Sequence, residues 1–319
     1  MALPAIDALA HAATRGVVDV FAGQHSMAVF KGRDTVALVI ACPERFTAAS
    51  AVRFGTRDLR AIGAQTLVVL DRSRLLRLAL SVSGARSRHW IVGDPDEQRH
   101  ESDVYLDLVR SMGIETRDAT PRMTPPKDAL AVALDLIPAD HDFAVIHPGG
   151  GENPGTRMTS KRWPVAHYVE LAAWLTRQSL AVYLTGSKSD RLLCERVAHE
   201  ARLGVHAVLA GACDIPTSGA IISRSRLYVG GDTGVSHIAA AVGAPVVAIF
   251  GPTNPQRYRP LGERVVVVAP TRSWAIPDAD LRKSRQRESG VSIEQVSTEE
   301  IIDACKAVLA MRSSDVDER

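Results

Sequence analysis

Lys161, Asp232, Thr233, Gly234 and His237 are the residues of this 319-residue chain whose types and spacing could do chemistry. Four of them stand in Gly230-Gly231-Asp232-Thr233-Gly234-Val235-Ser236-His237, between apolar runs at 226–229 and 245–250. Strand, glycine turn and helix in that order make an anion site. A helix N-terminus leaves backbone N–H groups unpaired, and the macrodipole adds about half a positive charge there. Asp232 or Thr233 can serve as N-cap. Thr233, Ser236 and His237 are spaced i, i+3, i+4 and share one face of the first turn. Gly230 and Gly231 carry no Cβ, so a ligand can approach the backbone. A plain βαβ unit with a capped helix would use the same residue types, and for Asp232 alone the two readings are even. The whole run between two apolar strands favours the site.

A second stretch has the same form. The apolar run at 143–147 ends in His147-Pro148-Gly149-Gly150-Gly151, and Lys161-Arg162-Trp163-Pro164 precedes the next helix. A lysine there can neutralise a leaving phosphate as charge develops. The chain has only six lysines among 38 basic residues, and a cation at a helix N-terminus works against the dipole, so a purely solvated Lys–Arg pair is the weaker alternative. Gly149 and Gly150 are candidate contacts of the same anion. Gly151, Thr156, Thr159 and Ser160 share a long loop whose contact is open. Asp190, in Thr185-Gly186-Ser187-Lys188-Ser189-Asp190 after a further strand, is either a ligand contact or the next helix's N-cap.

Together these residues resemble the glycosyltransferase family that contains the ADP-heptose:lipopolysaccharide heptosyltransferases. The resemblance rests on Asp232-Thr233-Gly234-Val235-Ser236-His237, on Gly251-Pro252-Thr253-Asn254-Pro255 after an apolar strand, and on Lys161 with Trp163-Pro164. It implies two doubly wound Rossmann-like α/β domains (the GT-B arrangement) and inverting transfer of heptose from ADP-heptose to a lipopolysaccharide inner-core acceptor. By carry-over, Lys161, Asp232 and His237 are catalytic. Gly149, Gly150, Lys161, Asp190, Asp232, Thr233, Gly234 and His237 bind the donor. The implied partners are a nucleotide-sugar donor and a lipid-linked saccharide acceptor, with peripheral contact at the inner membrane. No cofactor or metal is implied. Asp94-Pro95-Asp96 mimics a metal-binding DxD, yet is ordinary turn chemistry.

In the resembled family an apolar strand and a Gly-Asp loop come before a Pro-containing first helix, and the Asp is the proposed base. Here that Pro is Pro4, so strand, loop and base are expected to be absent from residues 1–319. A doubly wound sheet carries its first strand centrally, and about five buried residues at roughly 1.5–3 kcal/mol each approach a domain's whole stability. A non-catalytic nucleotide-sugar-binding relic is therefore an alternative, as is a same-fold transferase with another donor sugar or a protein acceptor. Asp7 does not align with the base; His25, after the 17–21 strand, is the nearby substitute.

The elements that must position these residues follow from periodicity. Helices are expected at 3–14, 45–62, 72–83 and 101–112, and strands at 17–21, 36–40, 66–70 and 89–92. A Pro-rich passage at 118–140 holds one amphipathic segment, 127–136. The second half repeats the alternation, with strands at 143–147, 180–185, 205–209, 226–229, 245–250 and 264–268. Its helices are at 164–176, 190–201, 217–223 and 298–311, the last opening on a Ser297/Glu300 capping box. Domains of 1–137 on the acceptor side and 138–319 on the donor side result.

Arg53, Arg57 and Arg60, at i, i+4, i+7, are candidate contacts for an anionic acceptor, or a solvated face. The basic run 281–287 could meet an anionic membrane. A net charge of +2 gives no nucleic-acid footprint. Cys42, Cys194, Cys213 and Cys305 have neither disulfide nor zinc spacing. With no long apolar run, a cytoplasmic location, possibly peripheral to the inner membrane face, is expected.

Overall fold

The computed structural model describes residues 1–43, 45–92, 98–116, 119–138, 141–150, 152–153, 156–157, 161–270 and 292–311. The Asp94–Asp96 turn, Thr159, Ser160 and the basic run 281–287 lie outside them. Contacts divide the chain into a first unit, Ala2–Ala119, and a second, Thr120–Arg319. That division falls earlier than the 137/138 boundary expected from the sequence. The reason is the helix Lys127–Leu136: its Ala129 and Ala133 join the second unit's core, and Arg224 holds the Ala133 and Ile137 carbonyls at 3.0 and 2.8 Å.

The first unit runs α1 (Leu3–Ala12), β1 (Val18–Ala22), α2 (Met27–Phe30), β2 (Val36–Ala41), α3 (Ala48–Arg53), a π-helical turn (Phe54–Leu59), α4 (Arg60–Ile62), β3 (Thr66–Val69), α5 (Arg74–Ser81), β4 (Ser87–Trp90) and α6 (Glu101–Arg110). The helix expected from residue 45 starts at Ala48, because the Thr47 side chain caps the Ser50 N–H and Ser50 returns the bond. β4 sits two residues earlier than expected, its register set by Thr66 opposite Ser87. β1 pairs parallel with β2, and β3 with β4. Among the described residues no ladder joins the two ribbons. Residues of both nevertheless share a core. Phe21 of β1 packs with Leu67, Val69 and Trp90 around Ala51, Phe54 and Leu80. Val20 and Ala22 meet Leu70 on the side of Ile6 from α1.

The second unit runs α7 (Lys127–Leu136), β5 (Phe143–His147), a small antiparallel pair β6 (Glu152–Asn153) and β7 (Thr156–Arg157), α8 (Val165–Arg177), β8 (Ala181–Leu184), α9 (Arg191–Glu200), α10 (Ile215–Ser223), β9 (Leu227–Gly231), α11 (Gly234–Ala241), β10 (Val246–Ile249), α12 (Pro255–Tyr258), β11 (Val265–Val268) and α13 (Thr298–Ala310). Its main sheet is parallel throughout, in the order β11-β10-β9-β5-β8. β5, β9 and β10 are buried at every position, as a parallel sheet covered on both faces requires. Leu171, Leu175, Val197 and Ile301 fill one face, and Ala129, Ile221 and Ala240 the other. The capping box of α13 is present, with Ser297 and Glu300 exchanging bonds.

The strand expected at 205–209 does not form. Val205–Ala207 is a 3-10 turn, Val205 is exposed, and contact with β8 begins only with a Leu184–Val208 bridge. The Leu209 and Gly211 amides donate to the Leu184 and Gly186 carbonyls at 2.8 and 2.9 Å. Pairing thus starts where the chain is already turning at Gly211, whose φ is +76°.

Candidate functional site

The carboxyl ends of β5, β8, β9 and β10 converge because their registers are locked, with His147 opposite Gly230 and Ile249 opposite Gly231. Ligand crevices of doubly wound sheets form at such ends. Lys161 crosses to this edge, and its Nζ donates to Asp232 Oδ2 at 2.6 Å. Both side chains are mostly buried, at 18% and 12% exposure. An ion pair so withdrawn from water holds each partner strongly in place. It also removes Asp232 from capping. Thr233 occupies the N-cap position of α11, and neither residue's side chain makes a cap hydrogen bond.

The Thr233 hydroxyl instead lies between two buried polar groups, 3.3 Å from His147 Nδ1 and 3.4 Å from Ser236 Oγ. Ser236 donates to the Gly231 carbonyl at 2.6 Å, and the Tyr228 hydroxyl lies 3.2 Å from Ser236. Gly230 therefore has a different role from the one its sequence suggested: a Cβ there would meet the Tyr228 hydroxyl at 2.4 Å, so the space belongs to tyrosine rather than to a ligand. A Cβ on Gly231 would lie 3.4 Å from the Lys161 carbonyl. Burial of Tyr228 pushes its phenol well above the usual range.

The glycine turn after β5 is gripped from both sides. A Cβ on Gly149 would lie 2.3–2.7 Å from the Asp190 carboxyl atoms. Gly150 has φ +108°, and a Cβ on it would meet the Thr233 methyl at 2.4 Å. Arg162 Nε donates to the Gly150 carbonyl at 2.8 Å, and its Nη2 lies 3.4 Å from Asp190 Oδ1. Asp190 also accepts from the Ser187 N–H at 2.9 Å and the Ser187 hydroxyl at 2.6 Å. It is buried, and it is the third residue of a 3-10 turn capped by Ser187, not the side-chain cap of α9. Trp163 anchors the other end of this segment, donating from Nε1 to the Val296 carbonyl at 2.7 Å.

Of the sequence candidates, Gly149, Gly150, Lys161, Asp190, Asp232, Thr233 and Gly234 are gathered at this edge, and His237 is half-buried in the first turn of α11. His25 is exposed between β1 and α2 of the first unit. Arg53, Arg57 and Arg60 are exposed. Their helix passes through the π turn, and Arg60 donates to the Val82 carbonyl at 3.2 Å. His147, Arg162, Ser187 and Tyr228 belong to the site without having been singled out. A histidine ending a wholly apolar strand, and an arginine beside the lysine, were the available signals. Among the described residues no group of three or more His, Cys, Asp or Glu could hold a metal ion, and no helix is long and apolar enough to cross a membrane.

Burial lowers the His147 pKa to about 4, with Arg162 acting in the same direction and Asp190 against it. The sign of the linkage follows. The folded ring stays neutral where the unfolded ring, ordinarily near 6.5, takes up a proton, so stability falls as pH drops below that value. Between pH 7 and pH 4.5 this amounts to about 2–3 kcal/mol. Denaturant titrations should show that His147→Asn loses less stability than the unsubstituted chain over that interval; equal losses would mean that His147 charges freely in the folded state.

The sequence profile of glycosyltransferase family 9 (heptosyltransferase) matches residues 95–287, more than half of the chain. Lipooligosaccharide heptosyltransferase 2 of Haemophilus ducreyi is 36% identical over 123 residues, 36% of this chain and 35% of that protein. Lipopolysaccharide heptosyltransferase 3 of Escherichia coli K12 is 30% identical over 167 residues, 52% of this chain and 44% of that protein. The chain thus spans from about a third to under half of the length of these relatives. Among solved structures, the family 9 glycosyl transferase of Veillonella parvula superposes with a TM-score of 0.78 at 17% identity, over 96% of this chain and 92% of that one. ADP-heptose lps heptosyltransferase II of E. coli gives 0.71 at 19%, over 97% and 95%. E. coli heptosyltransferase WaaC with ADP gives 0.66 at 19%, over 96% and 95%. These likenesses show the fold, two Rossmann-like α/β units of the GT-B class. With the profile match over residues 95–287, the chain belongs to glycosyltransferase family 9.

Proposed function

We propose that the chain is an inverting glycosyltransferase that binds ADP-heptose at the carboxyl edge of the second unit's sheet and passes heptose to a lipopolysaccharide inner-core acceptor. The observation that carries the reading is the mostly buried Lys161–Asp232 pair, 2.6 Å long, at the N-terminus of α11. A lysine, a helix N-terminus and a glycine turn together form the cationic, donor-rich surface that a diphosphate needs. Lys161 and the amides around Thr233–Gly234 hold the diphosphate. Asp232 and His237 face the sugar and phosphate hydroxyl edge, and Asp190 belongs to the donor side through its place beside Gly149. The leaving ADP carries growing negative charge, which the same cation and dipole stabilise. The acceptor side falls to the first unit, with exposed Arg53, Arg57 and Arg60 as anion contacts and His25 as a candidate base. Work at the cytoplasmic face of the inner membrane, with peripheral contact, suits a lipid-linked acceptor, and no metal is required.

The relatives are heptosyltransferases by name, and one structure that shares the fold holds ADP, which supports this reading. A second reading, a chain that binds the donor without transferring sugar, is favoured by the first unit's division into two separate two-stranded ribbons among the described residues. Thermal unfolding with ADP and with ADP-heptose tests the first point. A ligand at 100 times its Kd adds about 2.7 kcal/mol of stability. ADP-heptose should raise the midpoint more than ADP does. A midpoint indifferent to both would sink the adenine–heptose assignment, and binding without transfer to lipopolysaccharide core would favour the second reading.

A further inference from the structure

Both carboxylate oxygens of Asp190 are engaged, Oδ2 by Ser187 and Oδ1 by Arg162. Its carboxylate takes two bonds from Ser187, meets Arg162, and fills the space beside Gly149. It is 5% exposed. We infer that Asp190 and Arg162 are positioning residues, acting on the donor only through the glycine turn His147–Gly150. This rests on the donor site proposed above.

The chain of contact is continuous. Asp190 limits Gly149 from one side. Arg162 fixes the Gly150 carbonyl, and Gly150, at φ +108°, lies against the Thr233 methyl. The Thr233 hydroxyl is in turn placed by His147 and Ser236. A shift of the turn would therefore move the residue at the start of α11, next to Asp232 and its lysine partner. Arg162 sits one residue from Lys161, so its hold on Gly150 also sets where the Lys161 backbone passes over Gly231. Arginine is required for this. Its planar fork donates from Nε to a carbonyl while Nη2 faces a carboxylate, which a lysine cannot do.

Positioning and simple charge predict opposite results, which makes the inference testable. Arg162→Lys keeps the positive charge, so a charge role predicts unchanged ADP binding. Asp190→Asn makes the site more positive, so a charge role predicts tighter binding. Positioning predicts that both weaken ADP, by about tenfold each, and that the double variant is no worse than either single one. Isothermal titration of ADP into the full chain and each variant, with circular dichroism to check folding, gives the readout. Ser187→Ala, at an exposed residue, removes one hydrogen bond from Asp190 without altering charge. It should weaken ADP by about threefold and keeps the test open if a buried variant fails to fold. Unaltered binding in Arg162→Lys with tighter binding in Asp190→Asn would overturn the inference, and so would variants that all match the original chain. Absence of ADP binding in the unsubstituted chain would instead overturn the donor-site reading itself.

Discussion

Lys161→Ala should lower ADP affinity and any transfer rate by about 10²–10³-fold, the largest single effect expected in this chain. Two losses combine. The diphosphate loses a charge-assisted hydrogen bond. Asp232, only 12% exposed, also loses its cationic partner and then faces the diphosphate as a second, mostly buried anion. Breaking such a pair from one side typically costs about 3–5 kcal/mol. Titration calorimetry with ADP measures the first loss directly. A variant that binds ADP as well as the parent would remove Lys161 from the diphosphate site, whatever its effect on turnover.

Asp232→Asn should act in opposite directions on two ligands. Without donor, Lys161 is held by Asp232 at 2.6 Å, so a diphosphate must compete for the same ammonium group. Neutralising Asp232 ends that competition and removes an anion from the neighbourhood of the phosphates. At about 8 Å and an effective dielectric constant of about 20–40, one removed repulsion is worth about 1–2 kcal/mol, roughly tenfold in Kd. ADP should therefore bind more tightly to Asp232→Asn than to the parent. Transfer should fall, because the proposed contact with the sugar's hydroxyl edge is weakened. Weaker ADP binding in this variant would mean that Asp232 supports the diphosphate site rather than opposing it. A variant with parental transfer would take Asp232 out of the reaction.

Much of the second unit could be read in advance because its strands are wholly buried and its turns are marked. Phe143–His147 and Lys127–Leu136 fall where the apolar pattern puts them, and Ser297 with Glu300 announces its helix through a purely local bond. The misreadings have a common cause. At 205–209 the alternation suits a strand, yet the neighbouring backbone partner becomes available only from Leu184 onward. Gly230 looked like room for a ligand because the sequence cannot show that Tyr228, two residues earlier, folds its hydroxyl back over it. Of the two residues that could cap α11, Thr233 takes the position, and what decided it was out of local reach, since Asp232 pairs with Lys161, 71 positions away. Local chemistry was legible, whereas pairings that close long loops were not.

The broken ladder of the first unit has a consequence for how the chain behaves in concentrated solution. Each of β1, β2, β3 and β4 has one hydrogen-bonded neighbour among the described residues, so each is an edge strand, whereas β5, β9 and β10 are flanked on both sides. Open edges are templates for strands of other molecules. Such strands also exchange their amide hydrogens with solvent sooner than flanked ones. On warming, self-association is expected to start from the strands of the first unit, whereas β5, β9 and β10 stay flanked inside the second unit's sheet.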